Sequence, residues 1–200
     1  MARTASYDRD AALEVAMTLF WRKGYHATSL KDLEAALKLK PGSIYAAFDS
    51  KENLYLLSLQ RYFERSRQGF RDHMARAASP LAGLAGHFRS YADLAPEDAS
   101  RQACMLTKTL VDTKTTDPKI AEATQIYLDQ MREEFATAFS EAREAGELPS
   151  NADPDRLARR FQANVTALRV ELHRGSLKSA IHELTEDMAQ EIESLRSKGQ

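Results

Sequence analysis

Apolar residues recur along the chain at three- and four-residue intervals, in short bursts near the N-terminus and in longer runs after it. Leu30, Leu33 and Leu37 fall at i, i+3, i+7 and predict one buried stripe of a short amphipathic helix, with Lys31, Asp32 and Glu34 facing away. Thr28 is the N-cap candidate, because its hydroxyl can accept from a backbone N–H that the first helical turn leaves unpaired. A turn is predicted at Lys38-Leu39-Lys40. Pro41 suits the first position of the next helix, since it has no N–H to leave unsatisfied, and Ile44 and Phe48 at i, i+4 give that helix its buried face. Ser43, Tyr45, Ala46 and Ala47 are left pointing outward. Asp49-Ser50-Lys51-Glu52 reads as a capping box, the Asp49 carboxylate taking a first-turn N–H and Glu52 reaching back, so a further helix starts at once.

Before this segment, Asp8 to Lys23 reads as one helix with Ala12, Ala16, Leu19 and Phe20 inward and Gly24 as its stop. Met1 to Ser6, carrying Arg3, reads as a loose arm. After it, Tyr55, Leu59, Tyr62, Phe63, Ser66 and Phe70 share one stripe of a long connecting helix. Ser79-Pro80, Asp117-Pro118 and Asp153-Pro154 each place a capping oxygen before a proline at a helix start. Ala95-Pro96 supplies a break, and Gly146 and Gly175 supply stops. No alternating run is long enough for a strand, so the expected architecture is all-α with nine helices. Leu157, Phe161, Val165, Leu168 and Leu172 form one late stripe, and Ile181, Leu184, Met188, Ile192 and Leu195 form another. Either these stripes fill the chain's own core, or they meet a symmetry mate across a four-helix interface.

Composition adds limits. The 200 residues are 43% hydrophobic and 28% charged, an ordinary soluble mix, and the net charge is −1. Residues 1–51 hold eight Lys and Arg against six Asp and Glu, and the grouping of Lys38, Lys40 and Lys51 around the second short helix says more than that balance does. No apolar run approaches the roughly 20 residues that span a bilayer, and no secretory leader is spelled at the start, so a cytoplasmic location without membrane contact is expected. One cysteine excludes an intrachain disulfide.

Two short helices, a tight turn and a capped third helix spell a DNA-reading helix-turn-helix. The chain here resembles the TetR family of transcriptional regulators, through Phe20, Lys23-Gly24-Tyr25, Thr28-Ser29-Leu30, Ile44-Tyr45, Phe48 and Ser50-Lys51-Glu52-Asn53-Leu54. It departs from the family pattern in the turn, where Lys38 and Lys40 replace the usual glycine and hydroxyl cap, and at Ala46-Ala47, where larger polar residues are common. A Cβ at Lys38 makes a left-handed turn costly there. The resemblance implies a DNA-binding part over residues 1–54 and a helical effector-binding and dimerisation part over 55–200. It also favours the homodimer, which would place two reading helices on half-sites about 34–36 Å apart, or a multiple of that.

Phosphate contacts fix register and base edges carry sequence. Thr28 and Ser29, Tyr45, and Lys51 at a helix start are the phosphate candidates; Lys40 is aimed at a guanine edge, Ser43 is a permissive donor or acceptor, and Ala46 meets a thymine methyl, with Pro41 and Gly42 beside them. Phe63, Phe70, Phe88, Tyr91, Tyr127 and Met131 are candidates for an effector pocket, or else plain core. Cys104 looks like the cysteine of some TetR-type regulators that respond to electrophiles, with Ala103 where those often have glycine. If its stretch is helical, Lys108 lies one turn away and favours the thiolate; the alternative is an inert small hydrophobe. No catalytic motif and no cofactor signature is present, and His182-Glu183 lacks the second zinc histidine. Two rivals therefore remain: a helical enzyme or metal sensor using Cys104 with His87 or His173, and a helical interaction protein that no longer binds DNA.

Overall fold

The computed structural model describes residues 8–95 and 103–196. The arm with Arg3, the break at Pro96 and Gln102 beside Cys104 lie outside them. Among the described residues there are nine helices and no strand: α1 Arg9–Lys23, α2 Leu30–Leu37, α3 Pro41–Phe48, α4 Lys51–Ala75, α5 Pro80–Arg89, α6 Met105–Thr113, α7 Pro118–Glu144, α8 Pro154–His173 and α9 Lys178–Glu193. Among these residues, no helix is long and apolar enough to cross a membrane. The fold is all-α, as the absence of period-two runs implies.

Compactness divides the chain otherwise than by a functional cut after residue 54. One unit takes residues up to Glu64 and Lys108–Tyr127; the other takes Arg65–Thr107 and everything from Leu128. α4, α6 and α7 contribute residues to both.

In the first unit the inward sides of α1, α2, α3 and the start of α4 share a core. Asp8 caps α1 by accepting from the Asp10 and Ala11 amides, and Gly24 ends it at φ 83°, a value glycine adopts without strain. Leu13, Met17 and Trp21 are buried beside Ala12, Ala16 and Phe20, whereas Leu19 is only half-buried. Phe20 and Tyr55 meet edge to face at 4.8 Å, and Trp21 and Tyr62 at 4.9 Å. The buried Tyr55 hydroxyl is 2.7 Å from that of Thr109 on α6.

Two caps differ from expectation by one residue. Ser29, not Thr28, caps α2: its hydroxyl accepts from the Asp32 amide while the Asp32 carboxylate accepts from the Ser29 amide. Thr28 is buried and donates to the Gly24 carbonyl at 2.7 Å. Ser50, not Asp49, accepts from the Asn53 amide at the start of α4. Asp49 has φ 63° and ends α3, so its backbone lacks the extended conformation of an N-cap, and Glu52 points to Lys119 at 3.5 Å instead of completing a box.

The second unit is built around Phe70, Leu84, Phe88, Phe135, Phe139 and Phe161. Ser79 and Asp153 cap α5 and α8 as spelled, and Gly146 and Gly175 take positive φ at the expected stops. The C-terminal stripes serve the chain's own core. Phe161, Leu168, Leu172, Ile181 and Ile192 are buried in it, and Leu157, Val165, Leu184, Met188 and Leu195 pack against it while staying half-buried. Periodicity identified the buried side of each helix without saying what buries it.

Glu147 fastens the start of α5, accepting from the Ser79 hydroxyl at 2.7 Å and the Leu81 amide at 2.9 Å, with Arg196 at 3.0 Å. Burial pushes its carboxyl up, but these donors and the Arg196 charge outweigh that and leave it below the usual carboxylate range. Such a group adds stability above its ordinary pKa and loses it as pH falls through the depressed value. Glu147→Gln should therefore cost about 1–2 kcal/mol at neutral pH, the difference between charged and neutral hydrogen bonds, and less in acid. Urea unfolding at pH 7 and pH 3 checks this; an equal difference at both would remove the charge from the account.

Candidate nucleic-acid interface and effector site

The reading head is set by its turn. Lys38 takes φ 55°, ψ 35°, the left-handed conformation expected from its place between two short helices. Lys40 then precedes Pro41 as the N-cap of α3 and makes no side-chain cap bond, so its ammonium stays exposed. Ile44 and Phe48 are buried, and Gly42, Ser43, Tyr45 and Ala46 are exposed; Ala47 is half-buried, its carbonyl accepting from Arg9 Nε at 3.3 Å. The Arg9 guanidinium also lies 5.1 Å over the Phe48 ring, which ties α1 to the far end of α3.

Two phosphate candidates are taken by the fold itself. Thr28 has no exposed surface. The Ser29 hydroxyl donates to Asp32 at 2.7 Å, and Asp32 also pairs with Lys23 at 2.8 Å, so an internal carboxylate already occupies the positive end of α2. Lys23, then Ser29, hold the Asp32 carboxyl far below its usual range. Lys51 begins α4 as expected, with its ammonium 4.4 Å over the Tyr25 ring; burial lowers its pKa. His26, absent from the sequence reading, meets Asp117 at 3.0 Å and Thr116 at 2.9 Å, and so closes the α1–α2 loop against the start of α7. Residues far apart in sequence make this contact, and no local spacing signals it.

The eight pocket candidates fall into two groups. Phe63 and Tyr127 stack at 4.8 Å in the first unit. Lys108 belongs there too, and its ammonium donates to the Trp21 carbonyl at 2.7 Å near the end of α1. It is therefore not the partner of Cys104, which precedes the first residue of α6 instead of lying within a helix. Phe70, Phe88, Tyr91 and Met131 come together in the core of the second unit, to which the half-buried Cys104 also belongs.

What the sequence reading missed in this unit is the setting of His87, which it named only as a possible partner of Cys104. Its ring is surrounded by Phe70 at 5.2 Å, Tyr91 at 5.3 Å, His73 at 5.7 Å and Phe161 at 5.8 Å. The Tyr91 hydroxyl is 3.5 Å from His87 Nε2, and the charge of Arg169 on α8 is felt by both rings. Burial, then His73 and Arg169, hold the His87 imidazole down at about 3, so it is neutral throughout the physiological range. Burial likewise pushes the Tyr91 phenol up. His87, Tyr91 and Arg169 thus set a neutral imidazole, a phenol and a guanidinium among aromatic rings. The available signal was the i, i+4 pair His87 and Tyr91, and a lone arginine between Leu168 and Leu172. Phe70 also lines a recess of about 550 Å³ with Met74, Pro80 and Ala138, rimmed by the Arg71–Glu134 ion pair. Among the described residues no group of three His, Cys, Asp or Glu side chains is placed to hold a metal ion.

Residues 12–57 match the family described as bacterial regulatory proteins, tetR family, and residues 80–176 match a tetracyclin repressor-like C-terminal domain. The HTH-type transcriptional repressor ComR of Escherichia coli is 30% identical across 87% of this chain and 83% of its own. An uncharacterized HTH-type regulator of Bacillus subtilis, YezE, is 24% identical across 84% of this chain and 91% of its own. Among solved structures, a TetR-family regulator from Cytophaga hutchinsonii superposes with a TM-score of 0.86 over 99% of this chain and 100% of that one, at 19% identity, a likeness of fold alone. A cysteine-substituted form of the TetR-family regulator CifR, solved with a 26-bp operator duplex, superposes with a TM-score of 0.85 over 94% of this chain and 98% of that one, at 25% identity.

Proposed function

Since the chain belongs to the TetR family, and is thus a DNA-binding transcriptional regulator and not an enzyme, we propose that it is a repressor that holds a palindromic operator as a homodimer and releases it to a small-molecule effector. The observation that carries this reading is the exposed face of α3, which stands opposite the buried Ile44 and Phe48 with Lys38 and Lys40 exposed at its start. Residues 1–54 serve as the DNA-binding part and 55–200 as the effector-binding and dimerisation part. Lys40, Pro41, Gly42, Ser43, Tyr45, Ala46 and Lys51 form the contact set, Tyr45 and Lys51 towards phosphates and Lys40 towards a guanine edge. Repression follows from a dimer seated on a promoter, which excludes polymerase without further contacts; ComR is itself described as a repressor.

With the α8 and α9 core faces filled, the dimer uses their outer sides. Ala163, Ala167 and Val170 are exposed along α8 beside Arg159 and Arg174, while α9 exposes Glu183 and Asp187. A two-fold pairing of these helices can set basic α8 against acidic α9 around a small-residue contact. The effector belongs with Phe70, Phe88, His87, Tyr91 and Met131. Cys104, half-buried in the second unit, supplies a second version, an electrophile sensor.

The test is to sequence the genomic fragments that the purified protein retains, then titrate candidate effectors, electrophiles included, into the complex. One enriched palindrome, bound with strong salt dependence and lost on adding effector, is expected, and DNA must weaken effector binding by the same factor. Release of DNA by electrophile at an unchanged dose from Cys104→Ser would exclude the thiol version. Retention of no particular sequence would exclude operator binding.

A further inference from the structure

α3 has eight residues, and none from Pro41 to Phe48 carries a guanidinium, ammonium, carboxamide or carboxylate. The side chains that read guanine and adenine by paired hydrogen bonds are therefore absent from the reading helix. At about 100° per residue, Ala46 projects about 160° from both Ile44 and Phe48, so it occupies the middle of the outward face. Gly42 lies one turn earlier, within about 40° of the same line. Both are exposed, and the space where a Gly42 side chain would begin has no atom of the protein within 4 Å. Ser43 and Tyr45, the two hydroxyl-bearing residues of the helix, stand on either side of this line. A smooth ridge of hydrogen and methyl lets the backbone approach base edges closely. At the point of closest approach it presents an apolar group, and the apolar group that a base edge offers in the major groove is the thymine C5-methyl.

We infer that Ala46 packs on the C5-methyl group of a thymine near the centre of each half-site, so that this base pair is selected by methyl contact and not by a hydrogen bond from α3. The inference rests on α3 being the reading helix. Lys40, at the edge of the helix, is left to contribute polarity next to this apolar centre.

Selection of bound sequences from random duplexes by the full-length protein gives the half-site. Each thymine in it is then replaced by deoxyuridine, which deletes the C5-methyl and keeps the base pair and the protein intact. One position per half-site should lose about fourfold in affinity, the value of burying one methyl group. The same replacement should have little further effect with Ala46→Gly, whose missing methyl has already removed the contact. Undiminished affinity at every deoxyuridine, or an equal loss with wild type and A46G, overturns the assignment. If selection enriches no sequence, the placement of α3 as a reading helix falls, and the methyl contact with it. If it enriches a half-site without thymine, the methyl contact falls alone.

Discussion

Phe161→Ala should remove about 3–5 kcal/mol from the unfolding free energy, the largest loss expected from a single truncation in this chain. The ring is 1% exposed, and aromatic neighbours crowd it: Phe88 at 4.6 Å, Phe135 at 4.9 Å, and Phe139 and His87 at 5.8 Å. These come from α5 and α7, whose backbones are held by their own hydrogen bonds and cannot close over the void. The lost transfer energy and the cavity then add. Urea unfolding followed by helical circular dichroism measures the change, and a loss under about 1 kcal/mol would show that the aromatic cluster is loosely packed. If the same cluster also lines the effector site, effector affinity should fall in the variant while the α1–α3 core, built from other residues, keeps its structure.

Ala46→Asp should weaken operator binding by about 100-fold at physiological salt while leaving the melting temperature near that of wild type. Ala46 is exposed, so the carboxylate meets no core. In the groove it loses a base contact and lies among phosphates. A spoiled contact costs about 1–3 kcal/mol, and a dimer carries the change twice, which at about 1.4 kcal/mol per protomer gives the 100-fold figure. The measurement is a binding isotherm on the selected operator beside a thermal melt. Affinity within about threefold of wild type would place α3 away from the base edges.

Much of the reading head was legible because its chemistry is local. A proline at a helix start, Ile44 four residues before Phe48, and a residue forced into a left-handed turn at Lys38 each follow from neighbours in sequence. Both cap errors arose where two adjacent residues could each supply an oxygen. Thr28 lost to Ser29 because its hydroxyl reaches back to Gly24, and Asp49 lost to Ser50 because it was needed to end α3. The C-terminal stripes show a different limit. A period of three and four marks the buried side of α8 and α9, but Phe161 and Ile192 proved to be covered by their own chain, which no pattern within one helix can say. His87 was read only as a possible partner of Cys104, and its place in the aromatic cluster was missed for the related reason that its neighbours lie on three other helices: His73 and Phe70 on α4, Phe135 on α7 and Phe161 on α8.

The uncharged face of α3 separates how tightly the regulator holds DNA from how well it tells one site from another. Ionic strength acts on the lysines and on phosphate contacts, which are alike for every sequence, and hardly at all on a methyl group or a glycine. As salt rises, occupancy should fall at all sites bound in the same mode, with rank order and ratios preserved among sites that offer Lys40 the same base. A cell that changes its internal ionic strength would then alter how much of the genome is occupied without redirecting which promoters come first.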